Sequence, residues 1–371
     1  MAYIYEHKEW PEFRWEQAET ADLLAEVRHQ QGRLLGRMED LGFSLREEAT
    51  LQTLTEDVVK TSDIEGEKLN AEQVRSSLAR RMGIDIGALA QVDRNVEGIV
   101  EVMLDATGKF EAPLTEERLF GWHAALFPTG RSGMHRITVG GWRTDASGPM
   151  QVVSGPIGRE KVHYQAPAAD GLKEEMLRFL EWCNGAREID PVIKSALAHF
   201  WFVTIHPSDD GNGRIARAIA DLMLARSERS SQRFYSMSAQ IQRERNVYYE
   251  VLEKCQKGTL DITRWVVWFL SCLKRALGAS EETLEIVLTK ARFWKAHAQE
   301  PFNERQRKVV NRLLDGFEGK LTSSKWAKLT RCSQDTALRD IGELLERGIL
   351  SKDEPGGRST SYHLPLPTSA A

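Results

Sequence analysis

Apolar residues recur along most of the chain at helical spacing. Leu51, Leu54, Val58 and Val59 mark an amphipathic helix that runs on through Thr61-Ser62-Asp63-Ile64-Glu65 and stops at Gly66, a residue suited to the left-handed turn that closes a helix. Asp190 and Pro191 make a cap and first turn for another helix, in which Val192, Ile193, Ala196, Leu197, Phe200, Trp201 and Val203 supply a broad apolar face. Pro207 pushes His206 out of helical geometry, and a further helix opens near Gly213 with Ile215, Ala218, Ile219, Leu222 and Met223 at i, i+3, i+4, i+7 and i+8. Strand-like alternation is almost confined to residues 140–164 and 348–364. Within the first, residues 150–153 and 161–164 flank the turn-prone SGPIGRE, so 140–167 reads as a hairpin. Helix breaks are expected at 83–87 and 108–113. The early aromatics Tyr3, Tyr5, Trp10, Phe13 and Trp15 are expected to pack against the core.

A charged approach at 290–307 leads to a separate carboxy-terminal unit: helices at 305–314, 323–329 and 334–347, then a hairpin over 349–364 with a PGGR tip. That order resembles a winged helix-turn-helix. Its presumed recognition helix sets Asp335, Asp340, Glu343 and Glu346 against Arg339 and Arg347, a poor match to phosphates, which favours protein contact or dimerisation over nucleic acid.

A chain of 371 residues, 41% hydrophobic and 28% charged, has room for two or three globular domains. Its net charge of -4 gives no overall field for nucleic acid or an anionic membrane. Four scattered cysteines, Cys183, Cys255, Cys272 and Cys332, signal neither a zinc site nor a disulfide framework. The first residues lack an apolar signal core, and the longest uncharged apolar stretch, 265–272, is too short for a bilayer. The expectation is a cytoplasmic protein.

The candidate chemistry lies in HPSDDGNGRIAR, residues 206–217, a tight loop at a helix amino terminus. Such a terminus carries unpaired N–H groups and partial positive charge, yet its first turn holds Arg214 and Arg217. Two cations there are unfavourable unless an anion lies between them, and Gly211 and Gly213 let backbone amides approach it. A phosphate chain fits. Asp210 adds a carboxylate where Mg²⁺ is usually held beside phosphates, and His206 is placed to take a proton from an attacking hydroxyl. The loop is neither an EF-hand, for Arg214 stands at its fifth position and no glutamate closes it, nor a Walker A loop, since no GK[ST] follows.

These residues resemble the Fic-domain signature HxFx(D/E)GNGRxxR at His206, Asp210, Gly211, Asn212, Gly213, Arg214 and Arg217, with Ser208 in place of the usual Phe. The resemblance implies a mainly α protein: an amino-terminal helical region (1–110), a Fic helical core (111–280) with a small β-hairpin flap, and a winged-helix domain (290–371). It implies transfer of AMP from ATP to a Ser, Thr or Tyr hydroxyl of a target protein or of the chain itself, releasing pyrophosphate. His206 would then be the general base and Asp210 the Mg²⁺ ligand. Asn212 with the glycine amides would cradle the α-phosphate, while Arg214 and Arg217 hold the rest of the phosphate chain. Tyr248, Tyr249 and Gln256 match adenine-pocket positions, although core packing explains the tyrosine pair equally well. Val162, His163 and Tyr164 fall in the target-docking flap. Thr61, Glu65 and Gly66 fit the inhibitory motif [ST]xxxE[GN], in which Glu65 would form a bidentate pair with Arg217 and exclude the γ-phosphate. Removal of AMP, transfer of another phosphate-linked group, and a DNA-binding regulator with a Fic sensor core remain as rivals, and a homodimer stays open.

Overall fold

The computed structural model describes residues 2–39, 43–86, 90–146, 148–156, 159, 161–186, 189–317, 319–353 and 360–365. Gly87 of the expected helix break, part of the SGPIGRE turn and the PGGR tip lie outside them. The chain forms two compact units, Met1–Glu281 and Glu282–Ala371.

The first unit opens with α1 (Gln17–Glu39), α2 (Phe43–Ile64) and α3 (Ala71–Met82). Asn70 caps α3 by accepting from Glu72 N at 2.8 Å, and Gly83 closes it at φ 72°. Next come α4 (Arg94–Gly108) and α5 (Glu116–Leu126), packed so closely that a Cβ on Gly98 would stand 1.8 Å from the Ala125 carbonyl oxygen. Two short hairpins follow: β1 (Arg131–Ser132) with β2 (His135–Arg136), and β3 (Gln151–Ser154) with β4 (Lys161–Gln165). The second is antiparallel, with a bulge between Val152 and Val153.

After α6 (Leu172–Asn184) the chain enters the centre of the unit. In α7 (Pro191–Ile205) Pro191 takes the first turn, Asp190 Oδ1 accepts from Val192 N at 2.8 Å, and the residues from Ser195 to Ile205 are all buried. A helix buried on every face must satisfy its few polar groups internally. Ser195 Oγ donates to the Ala220 carbonyl of α8 (Asn212–Glu228) at 3.0 Å, and Trp265 Nε1 donates to the Ala196 carbonyl at 2.8 Å. Then come α9 (Met237–Arg243), α10 (Arg245–Gln256) and α11 (Thr263–Ala296), the last passing from the first unit into the second. Trp10 and Phe13 stand edge-on to Trp201, and Tyr3 and Tyr5 edge-on to Tyr164, so these early aromatics line the core.

In the second unit α12 (Glu304–Leu314) starts from an Asn303–Gln306 capping box. Between it and α13 (Ser323–Thr330) lies β5 (Leu321–Thr322), a strand too short for sequence alternation to reveal. α14 (Gln334–Glu346) leads to β6 (Ser351–Lys352) and β7 (Ser361–His363), and the sheet order is β5-β7-β6. Trp326 is the centre of a core with Val309, Val310, Ile341, Leu344 and Leu350. Asp340 does not face solvent with the other acids of α14. It is 2% exposed and accepts from Arg305 at 2.7 Å and Asn303 at 2.9 Å, so it adds little to that helix's surface charge.

Candidate functional site

The site forms where α7 ends and α8 begins. His206 closes α7 in the left-handed region, at φ 53° and ψ 57°, with its N–H donating to the Phe202 carbonyl at 3.0 Å. Its Nδ1 lies 3.2 Å from the Val203 carbonyl oxygen, which can only accept, so the neutral ring carries its proton on Nδ1 and leaves Nε2 free as a base. Burial pushes the His206 pKa down and the nearby Arg143 charge acts the same way, against the Val203 hydrogen bond, so the ring stays neutral below its ordinary range.

The loop is tightened by Asn212. Its Oδ1 accepts from Ser208 N at 2.9 Å and its Nδ2 donates to the Ser208 carbonyl at 2.8 Å. The Asn212 side chain is thus turned onto its own loop. Ser208, in place of the family's phenylalanine, is buried and held through its main chain. Asp210 Oδ1 accepts from Gly211 N at 2.6 Å, Oδ2 accepts from Ser132 Oγ of β1, and His123 Nε2 lies 3.1 Å from the Asp210 carbonyl. Thr138 N donates to Asp209 Oδ2 at 2.7 Å. Ser132, His123 and Thr138 carry no sequence signal linking them to the loop.

Arg214 and Arg217, the two arginines near the start of α8, are held by acids from the segment after α2. Arg217 is 2% exposed; its Nη2 donates to Glu65 Oε1 at 2.7 Å and to the Thr61 carbonyl at 3.0 Å, and its Nε donates to Thr61 Oγ1 at 2.7 Å. The pair with Glu65 is therefore single rather than bidentate, because Thr61 takes Nε and shares Nη2 with the acid. Burial works against the Arg217 charge, but Glu65 and Tyr248 outweigh it and raise the pKa above its ordinary value. Arg214 Nη1 donates to Glu67 Oε2 at 2.8 Å, and its guanidinium sits 5.1 Å from the Phe127 ring centre. Gly66 turns at φ 84° between the two glutamates.

The Glu65 carboxylate also lies against the first turn of α8. A Cβ on Gly213 would stand 2.2 Å from Glu65 Oε1, so only glycine admits the acid there. An anion at a helix amino terminus beside an arginine is what the sequence pattern asked for, and here the anion belongs to the chain itself.

The structure brings the tyrosine pair beside Arg217, but in different settings. Tyr248 is buried, with its hydroxyl 2.9 Å from His199 Nε2 and its ring among Trp265 and Trp268; Tyr249 keeps 37% exposure. Gln256 is buried and donates to Thr204 Oγ1 at 3.3 Å. On the flap, Val153 and Val162 are exposed at 47% and 40%, while Tyr164 is buried and donates to the Thr204 carbonyl at 2.7 Å. His163 bridges Ser154 Oγ at 2.6 Å and Glu253 Oε2 of α10 at 2.7 Å. Among the described residues no group of three or more His, Cys, Asp or Glu side chains converges, and no helix is long and apolar enough to cross a membrane.

Residues 113–224 match the Fic/DOC family. Residues 3–84 match a domain of unknown function, DUF4172. The chain is 28% identical over 221 residues to the "Protein adenylyltransferase Fic" of Culex quinquefasciatus, covering 58% of this chain and 39% of that one. Against the protein of the same name from Aedes aegypti it is 26% identical over 250 residues, covering 66% and 44%. It therefore spans less than half the length of either relative. Among solved structures, a Fic family protein from Desulfovibrio desulfuricans G20 covers the whole of both chains at 21% identity with a TM-score of 0.52. A Fic domain containing signaling protein from Bacteroides thetaiotaomicron VPI-5482 covers 72% of this chain and 97% of its own at 19% identity and 0.51. The architecture is the mainly helical Fic fold.

Proposed function

We propose that this chain transfers AMP from ATP to a hydroxyl side chain of a protein, itself included, and that Glu65 restrains the reaction. The observation that carries the reading is the Glu65 carboxylate seated between Arg217 and the Gly213 turn of α8. A site that holds a carboxylate through a helix amino terminus and an arginine is built for an anion, and a nucleotide's phosphate chain supplies that anion when Glu65 leaves.

In the reaction, His206 Nε2 takes the proton of the acceptor hydroxyl as its oxygen bonds to the α-phosphorus and the bond to pyrophosphate breaks. Positioned general-base catalysis of this kind is worth roughly 10²–10⁴-fold. Arg214 and Arg217 hold the phosphate oxygens, with the backbone amides at Gly211, Asn212 and Gly213. Tyr248, Tyr249 and Gln256 form the side of the site toward the base. Asp210 is the residue that would hold Mg²⁺, which supplies charge neutralisation on the phosphates; one hard carboxylate beside a phosphate cradle suits that ion, which rarely uses an all-protein cage. The exposed edge of the flap at Val162 and His163 aligns an extended target segment. We read the second unit as a winged helix, a reading supported by its α12–α14 and its three-stranded sheet, and assign it to protein contact.

Mass spectrometry after incubation with ATP and Mg²⁺ tests this. Glu65→Gly is expected to gain the mass of AMP on a hydroxyl residue at least tenfold faster than the parent, and adding His206→Ala is expected to abolish the gain. A Glu65→Gly protein that binds ATP yet transfers nothing, to itself or to lysate proteins, overturns the reading.

A further inference from the structure

Arg143 stands in the loop between the two hairpins, and its side chain is wholly shielded from solvent. A buried guanidinium is tolerated only when its donors are used. Here Nε donates to the His206 carbonyl at 2.8 Å, one terminal nitrogen donates to Asp145 Oδ1 at 2.8 Å, and the other donates to the Pro167 carbonyl at 2.6 Å. The Arg143 backbone N–H donates to the Pro207 carbonyl at 2.9 Å. One residue therefore captures two consecutive carbonyls of the site loop.

The conformation so captured is a costly one. A non-glycine residue in the left-handed region is strained and persists only where its surroundings over-determine it. His206 is such a residue, and its φ and ψ set where the imidazole points. The remaining arms of Arg143 reach the two stems of the flap. Asp145 precedes β3 and Pro167 follows β4, while Asp145 Oδ2 also accepts from Ala169 N at 2.7 Å.

We propose that Arg143 is a positioning residue: through the main chain it fixes the His206 ring relative to the flap, so that a hydroxyl presented on the flap meets Nε2. The proposal rests on the transferase reading. It needs a planar fork that serves three acceptors in fixed directions, which a lysine ammonium on a flexible stem does not provide. Arg143 touches neither nucleotide nor acceptor in this scheme.

The test uses the full chain carrying Glu65→Gly, with Arg143→Lys and Arg143→Gln added singly. Both variants are expected to bind ATP within twofold of their parent, to keep its KM for ATP, and to lose at least tenfold in the rate at saturating ATP. ¹⁵N NMR of His206 reads the same event without turnover: the parent holds its proton on Nδ1, and Arg143→Lys is expected to populate both ring tautomers. Asp145→Asn, which loosens Arg143 from a half-exposed partner, is expected to fold and to show a several-fold loss of the same kind. An Arg143→Lys protein with the parental rate and a single tautomer overturns the proposal, as does a rate loss matched by an equal loss of ATP affinity. If neither Arg143 variant folds, a parental rate in Asp145→Asn overturns it. If Glu65→Gly alone transfers nothing, the transferase reading fails, and the NMR result still decides whether Arg143 holds the ring.

Discussion

Arg214 donates to Glu67 at 2.8 Å, so the second arginine of the α8 turn is occupied by an acid just as the first is. Glu65 and Glu67 reach α8 from either side of Gly66, whose left-handed turn lets both carboxylates face it. Glu67 is partly exposed, at 36% of its side chain, which limits the pair to about 0.2–1 kcal/mol. Adding Glu67→Gln to Glu65→Gly is therefore expected to tighten ATP binding by about 1.4- to 5-fold. Calorimetric titration of the single and double variants checks this, and identical affinities would remove Glu67 from the competition.

Gly213→Ala offers a check that needs no catalysis. Its methyl group would collide with Glu65 Oε1, so the substitution should cost about 1–3 kcal/mol of stability in the parent, by the usual scale of overpacking. In a Glu65→Gly background the collision is gone, and most of the cost should vanish. Urea denaturation of the four proteins gives the coupling, and an equal cost in both backgrounds would mean that Glu65 does not occupy the turn.

The parent's acid stability should depend on His199. Burial, with Arg217 nearby, lowers its pKa from 6.5 to about 3. The unfolded chain then binds a proton that the folded chain refuses, so stability is complete above about pH 6.5 and falls as pH drops toward 3. The slope approaches about 1.4 kcal/mol per pH unit. His199→Gln should flatten stability between pH 6 and 4, measured by denaturant unfolding at each pH. An unchanged slope would place the proton uptake elsewhere.

Glu175 should prove a structural acid. Its Oε1 accepts from Trp10 Nε1 at 2.8 Å and from Trp201 Nε1 at 2.9 Å, tying the amino-terminal aromatics to α7. Glu175→Ala leaves a buried indole N–H unpaired, which costs about 1–3 kcal/mol, and Glu175→Gln, which keeps an acceptor, should recover most of it. Thermal unfolding of the pair is the measurement, and equal losses in both would point to packing rather than the hydrogen bonds.

What could be read in advance was local. The cap and first turn of α7, the apolar spacing of α8 and the turn at Gly66 are each set by residues within a few positions, and the chain forms them where its pattern places them. The spread of the site across the fold was not legible. Arg143 meets His206 from 63 positions away, Ser132 meets Asp210 from 78, and Glu67 meets Arg214 from 147. No periodicity encodes a contact at such separations; only packing does. Tyr248 shows the other limit, since a ring flanking an anion site and a ring filling a core leave the same mark on a sequence, and this one is also buried among Trp265 and Trp268.

Glu65 follows the last residue of α2 directly, and Gly66 turns the chain just beyond it, so the acid is held on no loose tether. A competitor delivered by its own chain acts at a fixed effective concentration, on the order of millimolar or more, that dilution leaves untouched. If Glu65 restrains the site as proposed, the fraction of open molecules at a given ATP concentration is accordingly the same at any protein concentration, and making more of the protein would raise total output without raising output per molecule. On the proposed reading, a signal that switches the chain on would act on the end of α2, by loosening Thr61 or Glu65 from Arg217, and abundance alone would not do it.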